Sequence, residues 1–283
     1  SFVTIVGETI SVIQVMKLNP PLPNEHGSWA MLIVPLLLGL IVAPAWHGRA
    51  LLLVVVAFGF YLVRFPLAVL VKTRRRARPE RAYLWRWTVI YGTLTAIGGG
   101  WLVLGEGLWW LAVIGLAGGA LLLFHLWLVA RRQEMSVAGE LSGIVGLALG
   151  APMAYYAAGG RLEAMAWVLW LINVLYFGGT VFYIKLKVRQ QPRQPAPDRL
   201  SERLIKARAC LTYQTAALTI IIVLVAIRQA PLLTPLALAP GTIKIVWGAW
   251  QWQDKRSLSL VRLGVTEIFH AVAFMVLVAI AFR

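Results

Sequence analysis

The 283-residue chain is 60% hydrophobic and only 13% charged, with a mean hydropathy of +0.76, which excludes an ordinary water-soluble domain and points to a polytopic membrane protein. Its formal net charge is +16. Lys and Arg nevertheless fall between long apolar runs, where anionic headgroups and the positive-inside rule account for them, so no nucleic-acid partner is expected.

The first 27 residues read as an N-terminal extension followed by a cytoplasmic entrance segment. Ser1 to Val15 contain Glu8 and lack a basic n-region, making a poor signal peptide. Met16-Lys17 is expected to be a true start, with the preceding stretch an upstream extension. Residues 28–283 read as one membrane domain. Measured against the roughly 20 apolar residues a helix needs to cross a bilayer core, nine segments qualify. They are about Trp29–Ala45, Arg49–Val71, Tyr83–Leu104, Leu108–Ala130, Val137–Ala158, Ala164–Tyr183, Ala207–Ile227, Leu232–Trp250 and Leu260–Phe282. Glycines crowd the third to sixth of these, among them Gly98–Gly100, Gly115, Gly118, Gly143 and Gly146, where small residues allow close helix approach.

The eighth segment contains Pro235, Pro240 and Lys244, and the expectation is a bent helix. The stretch at about 188–206, rich in Pro, Gln and Arg, reads as a mobile cytoplasmic linker. Ser201-Glu202 within it would start an amphipathic lead-in to the seventh span. The lone Cys210 excludes a disulfide framework and any multi-cysteine zinc site.

Orientation comes from the loops. Lys72 to Arg86, Arg131-Arg132, Lys185 to Arg208 and Lys255, Arg256 and Arg262 follow the second, fourth, sixth and eighth spans. The opposite side has only Arg49, Arg161, Arg228 and Arg283. The expected fold is therefore all-α integral membrane with about nine transmembrane helices, N terminus cytoplasmic and C terminus outside.

Several polar residues could carry chemistry. Glu25 and His26, in Asn24-Glu25-His26-Gly27-Ser28-Trp29, suit an acid/base or metal pair at the entrance. The alternative is an interface anchor, with Trp29 at headgroup level and Ser28 capping the first helix. Arg64 lies inside the second span, about 10 Å from its end. A cation there either faces a cavity or partner or snorkels outward. Glu140, opening the fifth span, either complements the helix dipole or serves as counter-ion to Arg64 or a lysine. Tyr183, Lys185 and Arg189 close the sixth span. With Lys72 and Arg64 they could line an anion-attracting mouth, or simply be positive-inside flanks.

Glu267 and His270 have the Glu-x-x-His spacing of di-metal bundles. Without further carboxylates they are expected to be a hydrogen-bonded structural pair, and no metal site is expected. His125 reads as a satisfied interior histidine. His47 belongs at the outer interface with Trp46.

The segments PLPNEHGSWAMLIVPLLLG (21–39) and GLALGAPMAYYAAGG (146–160) resemble the YwiC-like family of bacterial integral membrane proteins. More distantly, the nine-helix order looks like the UbiA superfamily of membrane prenyltransferases. In that superfamily the second and sixth helices end in Asp-rich motifs that hold Mg²⁺ against an isoprenoid diphosphate. Arg78-Pro79 has a place similar to that superfamily's Arg-Pro, but the positions before it read Arg64, Phe65, Ala68 and Lys72. The sixth span likewise ends in Tyr183, Lys185 and Lys187, with no Asp. The resemblance thus implies a UbiA-like helical bundle without a Mg–diphosphate site, any other cofactor being undetermined. Cations in those places can meet an anion directly.

The favoured reading is an isoprenoid- or quinone-related lipid-binding protein, or an atypical enzyme, of the bacterial cytoplasmic membrane. Its cavity would lie between the first, second, fifth and sixth spans, lined by Glu25, His26, Arg64, Glu140 and Lys185. Membrane lipids, anionic or isoprenoid, are the expected partners. The alternatives are a structural subunit of a membrane complex and an anion transporter, the latter without the internal repeat such folds carry.

Overall fold

The computed structural model describes residues 20–23, 26–73, 78–193, 195–252 and 259–283. The expected start at Met16 lies outside them. Among the described residues the structure is helical throughout, with no strand. In chain order the helices are α1 (His26–Val42), α2 (Arg49–Lys72), α3 (Arg78–Gly100), α4 (Trp109–Ala130), α5 (Val137–Ala148), α6 (Gly150–Gly159) and α7 (Ala164–Ile184). They continue as α8 (Leu200–Lys206), α9 (Arg208–Ala226), α10 (Thr234–Ala237), α11 (Ala239–Trp250) and α12 (Leu260–Ala281). Both α3 and α7 run on into π-helical turns, Trp101–Gly105 and Lys185–Gln190.

Among the described residues seven stretches are long and apolar enough to cross a membrane: Arg49–Lys72, Glu80–Gly105, Trp109–Ala130, Val137–Gly159, Ala164–Arg193, Arg208–Ala226 and Val261–Ala281. Gly27–Val42 is apolar but shorter. The expected bent eighth helix is instead two short ones, α10 and α11. Pro235 and Pro240 each sit in the first turn of their helix, where a missing N–H breaks no intrahelical bond, so they start helices instead of kinking one. Two helices begin on a side-chain cap. Ser136 Oγ accepts from the Gly139 N–H at 3.1 Å, and Ser259 Oγ from the Arg262 N–H at 3.3 Å.

Exposed tryptophans gather near the helix ends: Trp85, Trp127 and Trp250 at one, Trp46, Trp109 and Trp167 at the other. The first end also collects basic side chains: Lys187 Nζ donates to the Gln251 carbonyl at 2.6 Å, and Lys72 and Lys185 bond to the loop between α4 and α5. Indole rings at two levels with lipid-compatible helix between them suit a bilayer and its two interfaces.

Inside, α7 is the most enclosed of the spans, two-thirds buried over its apolar window. It packs against α1, α5, α6, α9 and α11. Two apolar clusters flank α1 and α6. One includes Leu38, Ala151, Tyr155, Leu169 and Phe274; the other includes Leu36, Leu53, Leu102, Ala154 and Ala157. The two helices touch almost backbone to backbone. A Cβ added to Gly39 would lie 2.3 Å from the Ala151 carbonyl oxygen, so no larger residue fits without moving α6.

The segment at about 188–206, expected to be mobile, is tied down. Gln191 is buried and donates to the Gly248 carbonyl at 2.9 Å, while Trp252 Nε1 donates to the Gln191 carbonyl at 3.1 Å. Arg203 reaches the Pro197 and Trp250 carbonyls at 2.8 and 3.1 Å. Its Pro and Arg content signalled a loop, but the unsatisfied carbonyls at the C-terminal end of α11 supply acceptors that sequence reading could not see.

A buried ion pair joins α11 to α12. Lys244 Nζ donates to both Glu267 carboxylate oxygens, at 2.9 and 2.7 Å, with side chains only 6% and 9% exposed. The ammonium also lies 4.7 Å from the centre of the Tyr183 ring, a cation–π contact that binds α7 into the same cluster. Glu267→Ala would strand the lysine charge and is expected to lower stability by about 3–5 kcal/mol. The paired change Lys244→Met with Glu267→Leu should cost far less, because no charge is left alone. Thermal unfolding in detergent checks this; equal losses for the single and the double variant would mean the pair does not hold these helices together.

Candidate functional site

The N-terminal half encloses a cavity of about 320 Å³ between α1, α2, α3, α4 and the α5–α6 rod. Its walls are apolar, including Leu32, Leu53, Phe60, Ile114 and Met153. The polar groups on it are already engaged. Thr95 Oγ1 donates to the Tyr91 carbonyl at 2.8 Å, and the Tyr61 hydroxyl shares a 2.5 Å hydrogen bond with Ser28 Oγ. Such a space is of the size and character that takes a small apolar molecule or a lipid chain.

Toward the basic end the cavity meets a narrow neck of about 30 Å³, with Phe60, Tyr61, Gly118 and Gly146 lining both. Here the chemistry changes. Arg64 from α2, His125 from α4 and Ser142 from α5 line the neck. Gly143 lies beside the guanidinium, whose Nη1 is 3.7 Å from where a Cβ at that position would stand, an ordinary van der Waals contact. An apolar chamber ending in a cation and an imidazole is an amphiphile-shaped site.

Beyond the neck, the loop between α4 and α5 gathers the other charges. Lys72 Nζ contacts Glu134 Oε1 at 2.7 Å. Lys185 pairs with Glu140 at 3.0 Å and also donates to the Met135 carbonyl at 2.9 Å, which Arg189 approaches at 3.4 Å. The hydrogen bond from Lys72, followed by one from its own backbone N–H, holds the Glu134 carboxyl below the usual carboxylate range. His125 adds a smaller electrostatic contribution in the same direction, which links this loop to the neck.

Of the residues singled out from sequence, Arg64 lines the neck, whereas Lys72, Glu140 and Lys185 form two ion pairs beside it. Glu140 is thus the counter-ion of a lysine, one of the alternatives open from sequence. The cavity uses α3 and α4 where the sixth span was expected. Glu25 and the side chain of His26 lie outside the described residues. Trp29 packs its ring 5.0 Å from Tyr61 and 6.1 Å from Phe58, centre to centre. Ser28 lies within α1 and bonds to Tyr61 instead of capping.

Tyr183 belongs to the Lys244 cluster in the other half. Glu267 binds Lys244 while His270 Nδ1 sits 2.6 Å from the Thr266 carbonyl, so these bonds of the Glu-x-x-His pair lead apart. Among the described residues no three His, Cys, Asp or Glu gather as a metal-ligand set. His47 stands at the opposite end, 2.6 Å from the Ala158 carbonyl, and Arg49 donates to Ala157 at 2.9 Å. Both engage carbonyls at the C-terminal end of α6, where the Arg49 charge is favoured. Sequence reading passed over His125 as a lone interior histidine; its neighbourhood comes from α2 and α5, and no local pattern signals that.

Residues 22–155 match the family model described as YwiC-like protein. The chain is also 27% identical over 176 residues to "Uncharacterized protein YwiC" of Bacillus subtilis (strain 168), covering 60% of this chain and 68% of that relative. No solved structure matches the chain. All residues lining the cavity and its neck fall inside the matched segment, from Leu32 to Met153.

Because the folded-state pKa of Glu134 is depressed, the Lys72–Glu134 contact contributes stability above the ordinary carboxylate pKa. That contribution is lost as pH falls through the lower folded value. Lys72→Met should flatten the stability curve of the detergent-purified protein in this acidic window and leave it unchanged in shape near neutrality. The effect should be small, since the Lys72 side chain is 57% exposed. Parallel curves for the two proteins down to the acid limit would remove the contact from the stability of this end.

Proposed function

We propose that the chain is a YwiC-like protein, on the match over residues 22–155, and that it binds a membrane lipid, with an apolar chain in the N-terminal cavity and an anionic head at the Arg64 neck. The observation that carries this reading is that an apolar chamber and a neck lined by Arg64, His125 and Ser142 share the walls Phe60, Tyr61, Gly118 and Gly146. A guanidinium at membrane depth is costly unless it meets a partner or faces a cavity. An anionic headgroup would receive charge-assisted hydrogen bonds from it.

The lipid class is isoprenoid- or quinone-related, a choice that rests on the distant likeness to prenyltransferases. In that comparison Arg64, Lys72 and Lys185 stand where metal-binding aspartates would be. The ligand head would then be held by cations directly, with membrane lipids as the partners and no metal bridge.

The same reading takes the chain nine times across a bacterial cytoplasmic membrane in a UbiA-like bundle, N terminus inside. The short α1 and the α10–α11 pair supply the first and eighth crossings. The alternating basic loops and the exposed tryptophans near both ends support it.

Native mass spectrometry of the purified protein should find a co-purifying lipid, and Arg64→Ala should reduce its occupancy by roughly tenfold to a hundredfold, the worth of a charged hydrogen bond. A lipid-free wild-type protein, or occupancy unchanged in Arg64→Ala, would sink the reading. Orientation has its own check. With Cys210 buried, cysteines placed at Gln133 and Asp198 should be shielded from a membrane-impermeant maleimide in intact cells, and one at Arg161 should be labelled. The reverse pattern would overturn the proposed topology.

A further inference from the structure

The cavity has a seam in its side. α3 runs along α2, and α4 packs on α2 and α5, but α3 and α4 scarcely touch beyond the π turn and the short connection that join them. Between them the cavity wall is made of small residues: Ala96, Gly99 and Gly100 on α3, Ala112 and Gly115 on α4. Ala96 and Gly115 are exposed. A Cβ built on Gly100 or Gly115 would meet nothing within 4 Å. Small residues normally mark close helix contact in membranes; here they border open space.

Both helices fall within stretches long and apolar enough to cross a membrane, so the seam faces hydrocarbon. We propose that it is a lateral portal through which one chain of a bilayer lipid enters the cavity. The proposal rests on the lipid-binding reading above and specifies its ligand class: an anionic amphiphile drawn from within the bilayer, with a chain longer than the cavity can hold. At roughly 30 Å³ per chain carbon, about the liquid volume of one water, a cavity of about 320 Å³ accommodates on the order of ten carbons. A closed pocket of that size would reject longer chains. An open seam lets the surplus carbons pass between α3 and α4 into the surrounding lipid, so chain length ceases to be a limit.

The test uses the full chain in nanodiscs of zwitterionic lipid, with octyl phosphate or hexadecyl phosphate as probe and native mass spectrometry as readout. Gly115→Trp has room to fold and places its ring across the seam. It should lower hexadecyl phosphate occupancy about tenfold or more while leaving octyl phosphate as in the wild type. Gly115→Leu should show the same selectivity more weakly. Gly119→Trp adds equal bulk one turn along α4, also into open space but off the cavity wall, and should bind both probes normally.

Wild-type hexadecyl phosphate binding by Gly115→Trp, or equal loss of both probes, overturns the portal. Wild-type binding of octyl phosphate without hexadecyl phosphate overturns the portal alone, and failure of both probes to bind the wild type overturns the lipid-binding reading with it.

Discussion

The approach of α1 to α6 at Gly39 and Ala151 brings two backbones within side-chain-free distance, and both apolar clusters are built out from that line. Leu32 and Leu36 of α1, with Ala154 and Ala157 of α6, turn toward one cluster. Val34 and Leu38, with Ala151 and Tyr155, turn toward the other. In lipid there is little hydrophobic drive between helices, so packing of small surfaces must do this work. Moving α6 away from α1 would loosen the enclosure of α7 on one side and the wall of the cavity on the other.

The two halves handle buried polarity differently. In the C-terminal half, Lys244 and Glu267 neutralise each other completely, under the Tyr183 ring, and leave a closed and cross-braced bundle. In the N-terminal half the charges are spread along a gradient. Glu134 and Glu140 are matched to lysines at the basic end, while Arg64 stands farther in at the foot of an apolar chamber. A filled ion pair makes a good brace because it has nothing left to bind. A graded arrangement can accept a molecule whose own polarity runs in the same direction.

Much of the architecture was legible in the chain. Seven of the nine expected spans coincide with helices of crossing length, because an uninterrupted apolar run permits only a backbone that satisfies its own hydrogen bonds. Arg64 was identifiable for a related reason: a lone guanidinium within such a run is rare enough to draw attention by itself. The eighth segment was misread as one bent helix, since prolines at 235 and 240 look alike in sequence whether they kink a helix or begin one. Ser28 likewise carries the residue type of a cap, yet its hydroxyl has a better partner in Tyr61, thirty-three positions away.

By itself the sequence determined that the chain is helical, apolar along most of its length and basic in alternate loops, because these follow from periodicity and composition within single segments. Only the tertiary structure decided which charges pair, that the 188–206 segment is tethered, and that the cavity lies among α1 to α6 with α3 and α4 apart. Those outcomes depend on distances between residues far apart in the chain. Lys185 finds Glu140, Lys244 finds Glu267 and His125 comes to Arg64 through helix packing, and no local pattern encodes it.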